Sequence, residues 1–205
     1  MAIPTGAIRY NTDSNKMECF NGTKWMQVAV SSPDLNGGAR GVWGGGVGPE
    51  TNTIDYVTIT TSGNATEFGD LTRTGTNTSF GSNTRAIWAG GYSTGTVPQD
   101  TIDYVTIAQT GNATDFGNLS TGRFALAGLS NQTRGITAFG SNPGHTNIID
   151  YVTIASTGNS VDFGDTINAG ANTRGGVASP TRGVFMGLHR AVSYTHLPLP
   201  TIYSV

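Results

Sequence analysis

The sequence predicts an all-β protein assembled from repeats, and three observations carry that prediction. A six-residue segment returns at nearly constant phase: Ile54–Ile59, Ile102–Ile107 and Ile149–Ile154 all read Ile-Asp-Tyr-Val-Thr-Ile, with starts 48 and 47 residues apart. Of 205 residues, 31 are threonine and 30 glycine, while charged residues make up only 12%, about half the ~25% usual for soluble domains. Thr, Val, Ile and Tyr prevail over Leu, Lys and Glu, and branched or aromatic side chains suit a pleated surface better than a helix. Finally, Gly-, Asn- and Pro-containing turns punctuate short apolar runs at the spacing of a meander.

Each repeat reads as four strands, for which the first copy supplies the template. An arginine-led, Gly-rich strand covers 41–45, with counterparts at Arg85–Gly91 and Arg134–Gly140. The Ile-Asp-Tyr strand covers 53–60. Ile54, Tyr56 and Thr58 share one of its faces and Asp55, Val57 and Ile59 the other, so apolar groups on both sides call for cover on both sides. A third strand, 65–71, carries Phe68-Gly69, repeated as Phe116-Gly117 and Phe163-Gly164; a fourth spans 75–81. Gly pairs closing the first strand let backbones crowd together. Another copy starts at Arg182-Gly183-Val184-Phe185-Met186-Gly187 and then stops matching.

A Gly-Gly doublet closing an apolar strand, then a tyrosine, then an aromatic before a further strand, resembles the kelch repeat, whose period is about 50 residues. Phe68, Phe116 and Phe163 stand where kelch repeats carry tryptophan, and the third copy keeps only Gly140 of its doublet. Over about residues 40–190 the chain is also similar to Thr-Arg-Gly-Val-Phe…Ile-Asp-Tyr-Val-Thr-Ile…Asp-Phe-Gly-Asp repeats of marine bacteriophage tail-fibre and virion structural proteins. The resemblance implies a partial kelch-like β-propeller of three blades plus a stub, with repeats at 40–84, 85–133, 134–181 and a truncated 182–190.

The two ends differ in composition from the repeats. Both lysines, Lys16 and Lys24, lie in residues 1–30, which read as a small β-module of three strands. Asp13-Ser14-Asn15 supplies its first turn and Asn21-Gly22 a tight hairpin turn. Residues 31–39, with paired Ser31-Ser32 and Gly37-Gly38 around Pro33, read as a linker. Residues 191–205, with Val192-Ser193-Tyr194-Thr195-His196-Leu197, look like the translation of an adapter used in sequencing libraries. Met1–Thr5 has neither a positive nor an apolar stretch of signal-peptide type.

Few residues suggest chemistry. The net charge of −2 provides no basic field for nucleic acid, and no apolar run reaches the ~20 residues of a membrane span. Cys19 is the only cysteine, so no internal disulfide forms. His145, His189 and His196 lack partners at metal-ligand spacing. Gly44-Gly45-Gly46 has no following Lys-Ser/Thr and is not a phosphate loop. Asp55, Asp103 and Asp150, with Asp70 and Asp165, suit calcium or a sugar. Because the Ile-Asp-Tyr aspartates recur at one phase, as do Arg40, Arg85, Arg134 and Arg182, the economical reading is a repeated Arg–Asp pair holding strands together. Asn64, Asn112 and Asn159 read as turn formers.

These readings predict a protein that is not an enzyme and needs neither cofactor nor metal. The resemblance implies a virion tail location, other virion proteins as partners, and contact with host cell-surface carbohydrate. Recognition is expected in the loops where the repeats differ most, 46–53, 92–101 and 141–147. The candidate binding residues there are Glu50, Asn52, Tyr92, Gln99, Asp100, Asn142, His145 and Asn147. A cellular kelch-type interaction module and a glycan-active enzyme on the same scaffold are the alternatives.

Overall fold

The computed structural model describes residues 3–14, 16–28, 40–93, 97–170 and 175–186. The expected linker at 31–39 and the adapter-like tail at 191–205, with His189 and His196, lie outside the described residues, as do 94–96 of the second loop. The described residues form seventeen strands and no helix. The chain divides into two compact units, Met1–Asp34 and Leu35–Val205.

The first unit is a three-stranded antiparallel meander of β1 (Ile8–Asn11), β2 (Lys16–Phe20) and β3 (Trp25–Gln27). Asn11 organises the first turn, its Oδ1 accepting from the amides of Asp13 and Ser14. The second connection is a four-residue loop rather than the expected two-residue turn. Asn21 Oδ1 accepts from the Thr23 and Lys24 amides, and Gly22 takes the left-handed φ of +94°. Across the sheet, Arg9 pairs with Glu18 at 2.8 Å and lies 4.2 Å from the Trp25 ring centre. Hydrogen bonds from Asn11 and Arg9 hold the Glu18 carboxyl below its ordinary pKa.

The second unit carries the repeats in successive antiparallel sheets. The first sheet holds β4 (Arg40–Gly46), β5 (Thr51–Thr58) and β6 (Thr66–Asp70). The second holds β7 (Thr76–Gly81), β8 (Arg85–Ser93), β10 (Thr101–Thr106) and β11 (Thr114–Asn118), with the short β9 (Val97–Pro98) beside β8. The third holds β12 (Ala127–Ser130), β13 (Arg134–Ala138), β14 (Thr146–Thr153) and β15 (Val161–Gly170). A two-stranded sheet, β16 (Gly175–Ala178) and β17 (Gly183–Met186), follows. The three Ile-Asp-Tyr segments occupy like positions, each paired with an arginine-led strand on one side and a Phe-Gly strand on the other.

One boundary differs from the four-strand repeat read in sequence order. The strand at 76–81 does not finish the sheet of β4–β6 but opens the next one, pairing with β8. A three-residue turn, Ser82-Asn83-Thr84, joins it to β8, so local connection outweighs membership of the repeat.

Every repeat contains the same aromatic unit. The guanidiniums of Arg40, Arg85 and Arg134 lie 4.8, 4.6 and 4.8 Å from the ring centres of Tyr56, Tyr104 and Tyr151. Those rings meet Phe68, Phe116 and Phe163 edge to face at 5.8, 5.7 and 6.0 Å. The core runs between sheets. Ile54, Phe68 and Leu71 of the first repeat pack with Trp88 and Val105 of the second. Phe116 and Leu119 then pack with Val152 and Ile154 of the third. Phe163 differs from its equivalents: it is 42% exposed, against 3% for Phe68 and for Phe116, because no described residue covers it as the next repeat covers the other two.

Candidate functional site

The expected pairing of Arg40, Arg85 and Arg134 with the Ile-Asp-Tyr aspartates does not form. Besides stacking on tyrosine, Arg40 donates through Nη1 to the Ile107 carbonyl and Arg85 to the Ile154 carbonyl, each at 2.7 Å and each one repeat ahead. Arg182 likewise has no such aspartate among the described residues. The aspartates also reach between repeats, but to the connector that leaves the Phe-Gly strand. Asp103 accepts from the Thr72 amide at 3.1 Å and from its hydroxyl. Asp150 accepts from the Ser120 hydroxyl and from Arg123 Nη1, both at 2.8 Å, and both charges are fully buried. Burial pushes the Asp103 carboxyl above its ordinary pKa despite the Thr72 hydrogen bonds and nearby Arg73, and burial lowers that of Arg73. Sequence reading missed Thr72, Arg73, Ser120 and Arg123, although a Leu-Thr/Ser step after Phe-Gly-Asp/Asn marks both connectors.

These connectors also organise the predicted loops. The first connector lies against the first loop: the Leu71 amide donates to Asn52 O at 2.7 Å, Asn52 Nδ2 donates to Leu71 O at 3.3 Å, and Thr74 Oγ1 donates to Glu50 Oε2 at 3.3 Å. It then meets the second loop, where the Tyr92 amide donates to Thr76 Oγ1 at 3.4 Å. The second connector bridges the second and third loops. Arg123 donates its amide to Gln99 O at 3.1 Å and accepts from the Gly91 amide at 2.8 Å. Asn142 Nδ2 donates to Gly122 O at 2.6 Å, and Phe124 pairs through its backbone with Ser141.

The described residues of the three loops therefore form one rim at one end of the sheets. Gly45 and Gly90 make the approach possible. They take left-handed φ of +76° and +58°, and a Cβ there would press on the carbonyls of Gly75 and Arg123. Phe139 holds the equivalent position at φ +65°, where a bulky residue is strained; its ring packs edge to face on Phe185 at 5.8 Å.

The eight candidate residues divide by what their side chains already do. Asn52 is tied to a connector, Gln99 to Val97 O, and Tyr92 packs on Phe124 at 5.6 Å. Glu50 and Asn147 are half-buried, and Asn147 gives its carbonyl to Thr166 Oγ1. Asp100, Asn142 and His145 are exposed, Asn142 with its Nδ2 tied to Gly122 O of the second connector. A groove of about 400 Å³ lies between the turns at 130–133 and 178–180, and no rim residue lines it. Among the described residues, no three His, Cys, Asp or Glu side chains gather where a metal could be held. The rim thus offers amide, carboxylate and imidazole groups able to hydrogen-bond a polar ligand. The chain matches no protein-family model and no curated protein sequence.

Proposed function

We propose that this protein is a non-enzymatic structural component of a bacteriophage virion, of tail-fibre type, whose kelch-like propeller repeats present the rim loops to host-surface carbohydrate. One observation carries the reading: the loops that vary between repeats are joined by the connectors into a single surface, while the strands beneath them repeat. Rigid repeats with variable loops are a usual arrangement for recognition. Asp100, Asn142 and His145 provide donors and acceptors of the kind that sugar hydroxyls need.

Binding of the full chain to host-cell surface polysaccharide tests the reading. Replacing Asp100 and His145 together by alanine is expected to weaken binding about tenfold, which corresponds to one or two lost hydrogen bonds. A Gln132→Ala variant, altered at the opposite ends of the strands, is expected to bind as the parent does. Absence of binding, or binding insensitive to the rim substitutions, would overturn it.

A further inference from the structure

Three asparagines hold turns in the same way, and one of them is followed by glycine. We propose that Asn21 is a site of spontaneous covalent modification, converting to aspartyl and isoaspartyl residues through a cyclic imide formed with the Gly22 nitrogen. The inference does not depend on what the rim binds.

The turn geometry sets up the attack. Asn21 Oδ1 accepts from the Thr23 and Lys24 amides at 3.0 and 2.9 Å. These bonds fold the side chain back across the intervening Gly22 peptide, which brings Cγ toward the Gly22 nitrogen. Among the described residues, none accepts from that nitrogen or from Asn21 Nδ2. Both residues are exposed, so water and hydroxide reach them.

Solvent base removes the Gly22 amide proton, and the nitrogen forms a bond to Asn21 Cγ. Negative charge develops on Oδ1, at which the Thr23 and Lys24 amides already point, and they stabilise it as an oxyanion hole does. The tetrahedral carbon then collapses: the Cγ–Nδ2 bond breaks, Nδ2 takes a proton from solvent, and ammonia leaves. Water adds to either carbonyl of the imide and reopens it. Opening at the main-chain carbonyl gives isoaspartate, and opening at the side-chain carbonyl gives aspartate. Water is consumed and ammonia released, with no change of oxidation state.

The fold keeps the reactive pair in place. Gly22 has φ +94°, and a Cβ there would stand 2.9 Å from Thr5 Oγ1. Glycine is therefore required at a position where a side chain would otherwise shield the nitrogen. Asn11 and Asn131 provide the contrast within the same molecule. Asn11 Oδ1 accepts from the Asp13 and Ser14 amides at 3.0 and 3.2 Å, and Asn131 Oδ1 from those of Thr133 and Arg134 at 2.9 and 2.8 Å. Thr12 and Gln132 follow them, however, and their Nδ2 groups are held by Glu18 Oε1 and Pro180 O. The turn is shared; the unshielded nitrogen is not.

Modification changes the hairpin. Asn21 donates its amide to Lys24 O at 3.1 Å, beside Phe20 and Trp25, whose rings lie 5.4 Å apart. Aspartate keeps the acceptor and adds a negative charge. Isoaspartate inserts a methylene into the main chain and displaces the Phe20–Trp25 register.

The test incubates the full chain at neutral and mildly alkaline pH, folded and in urea, before tryptic digestion. Cleavage after Lys16 and Lys24 isolates residues 17–24, in which Asn21 is the only asparagine, and mass spectrometry reads its conversion from amide to carboxyl. Conversion is expected to rise with pH and to run at least about tenfold faster at Asn21 than at Asn11 or Asn131. It is also expected to be faster in the folded chain than in urea, because a hydrogen bond to a developing charge is worth about tenfold in rate. Thr23→Pro deletes one of the two donor amides; it is expected to slow conversion of the folded chain about tenfold and to leave the rate in urea unchanged. A parent rate no faster folded than in urea would overturn the proposal without any substitution. So would conversion at Asn11 or Asn131 as fast as at Asn21, or a folded Thr23→Pro variant that converts as fast as the parent.

Discussion

The two joints between successive repeats share their edge contact, the Gly111 amide on Phe68 O and the Gly158 amide on Phe116 O, but differ in the polar clasp beneath it. At the first joint, Asp103 takes the Thr72 amide and hydroxyl, while Arg73 turns away to the carbonyls of Thr76 and Gly90. At the second joint, Arg123 lies wholly inside, donating to Asp150 and to the Thr137 hydroxyl. Chain length explains the difference. From leucine to the next arginine-led strand the first connector and strand run from Leu71 to Arg85, the second from Leu119 to Arg134, one residue more. Residue chemistry contributes too: Thr137 at the second joint replaces Trp88 of the first, leaving room and a hydroxyl for a guanidinium. One aspartate position can therefore be satisfied by hydrogen bonds alone or by a hydrogen bond together with a buried countercharge, and only in the second case does loss of the arginine leave a buried carboxylate without its countercharge.

Two substitutions test this contrast. Arg123→Ala strands Asp150 in the interior and is expected to cost about 3–5 kcal/mol, the range for breaking a buried pair. Arg73→Ala should cost about 1–2 kcal/mol, since Thr72 still serves Asp103. Equal losses in denaturant unfolding would erase the distinction between the joints.

The apolar layer gives the next comparison. Phe116→Ala, beneath the second joint, is expected to cost about 3–5 kcal/mol, whereas Phe163→Ala should cost roughly 1–2 kcal/mol because its ring is only partly covered. A larger loss at Phe163 would mean that its ring is covered more than the described residues cover it.

The smallest effect concerns pH. Asp103 has a folded-state pKa raised above 3.8 by burial. Its contribution to stability is therefore fully present below the unfolded value and is lost as pH rises through the raised one. Asp103→Asn removes that slope. Unfolding free energies of parent and variant between about pH 4 and 7 should draw together, or cross, as pH rises; a gap that widens in favour of the parent would contradict the sign.

The all-β class and the equivalence of Tyr56, Tyr104 and Tyr151 were legible because strand-forming composition and a phase-locked motif are local properties. The Arg–Tyr–Phe unit also lies within one repeat, and its residues recur together. Asn112 and Asn159 were legible as turn formers, but not as acceptors for the preceding repeat's edge. The rim residues could be nominated from loop variability, whereas the commitment of Asn52, Gln99 and Tyr92 to connectors could not.

The sequence by itself determined the period, the strand segments and which residues occupy equivalent positions. Only the tertiary structure decided between partners one repeat apart: that 76–81 joins the next sheet, that Arg40 reaches Ile107, and that Asp150 meets Arg123 instead of Arg134. The physical reason lies in the repetition. Shifting a repeating chain by one period leaves its pattern almost unchanged, so an arginine sees chemically identical partners in its own repeat and the next. Packing breaks that tie, because burying apolar faces of neighbouring sheets sets the stacking offset, and the hydrogen-bonding groups then pair with whatever that offset brings within reach.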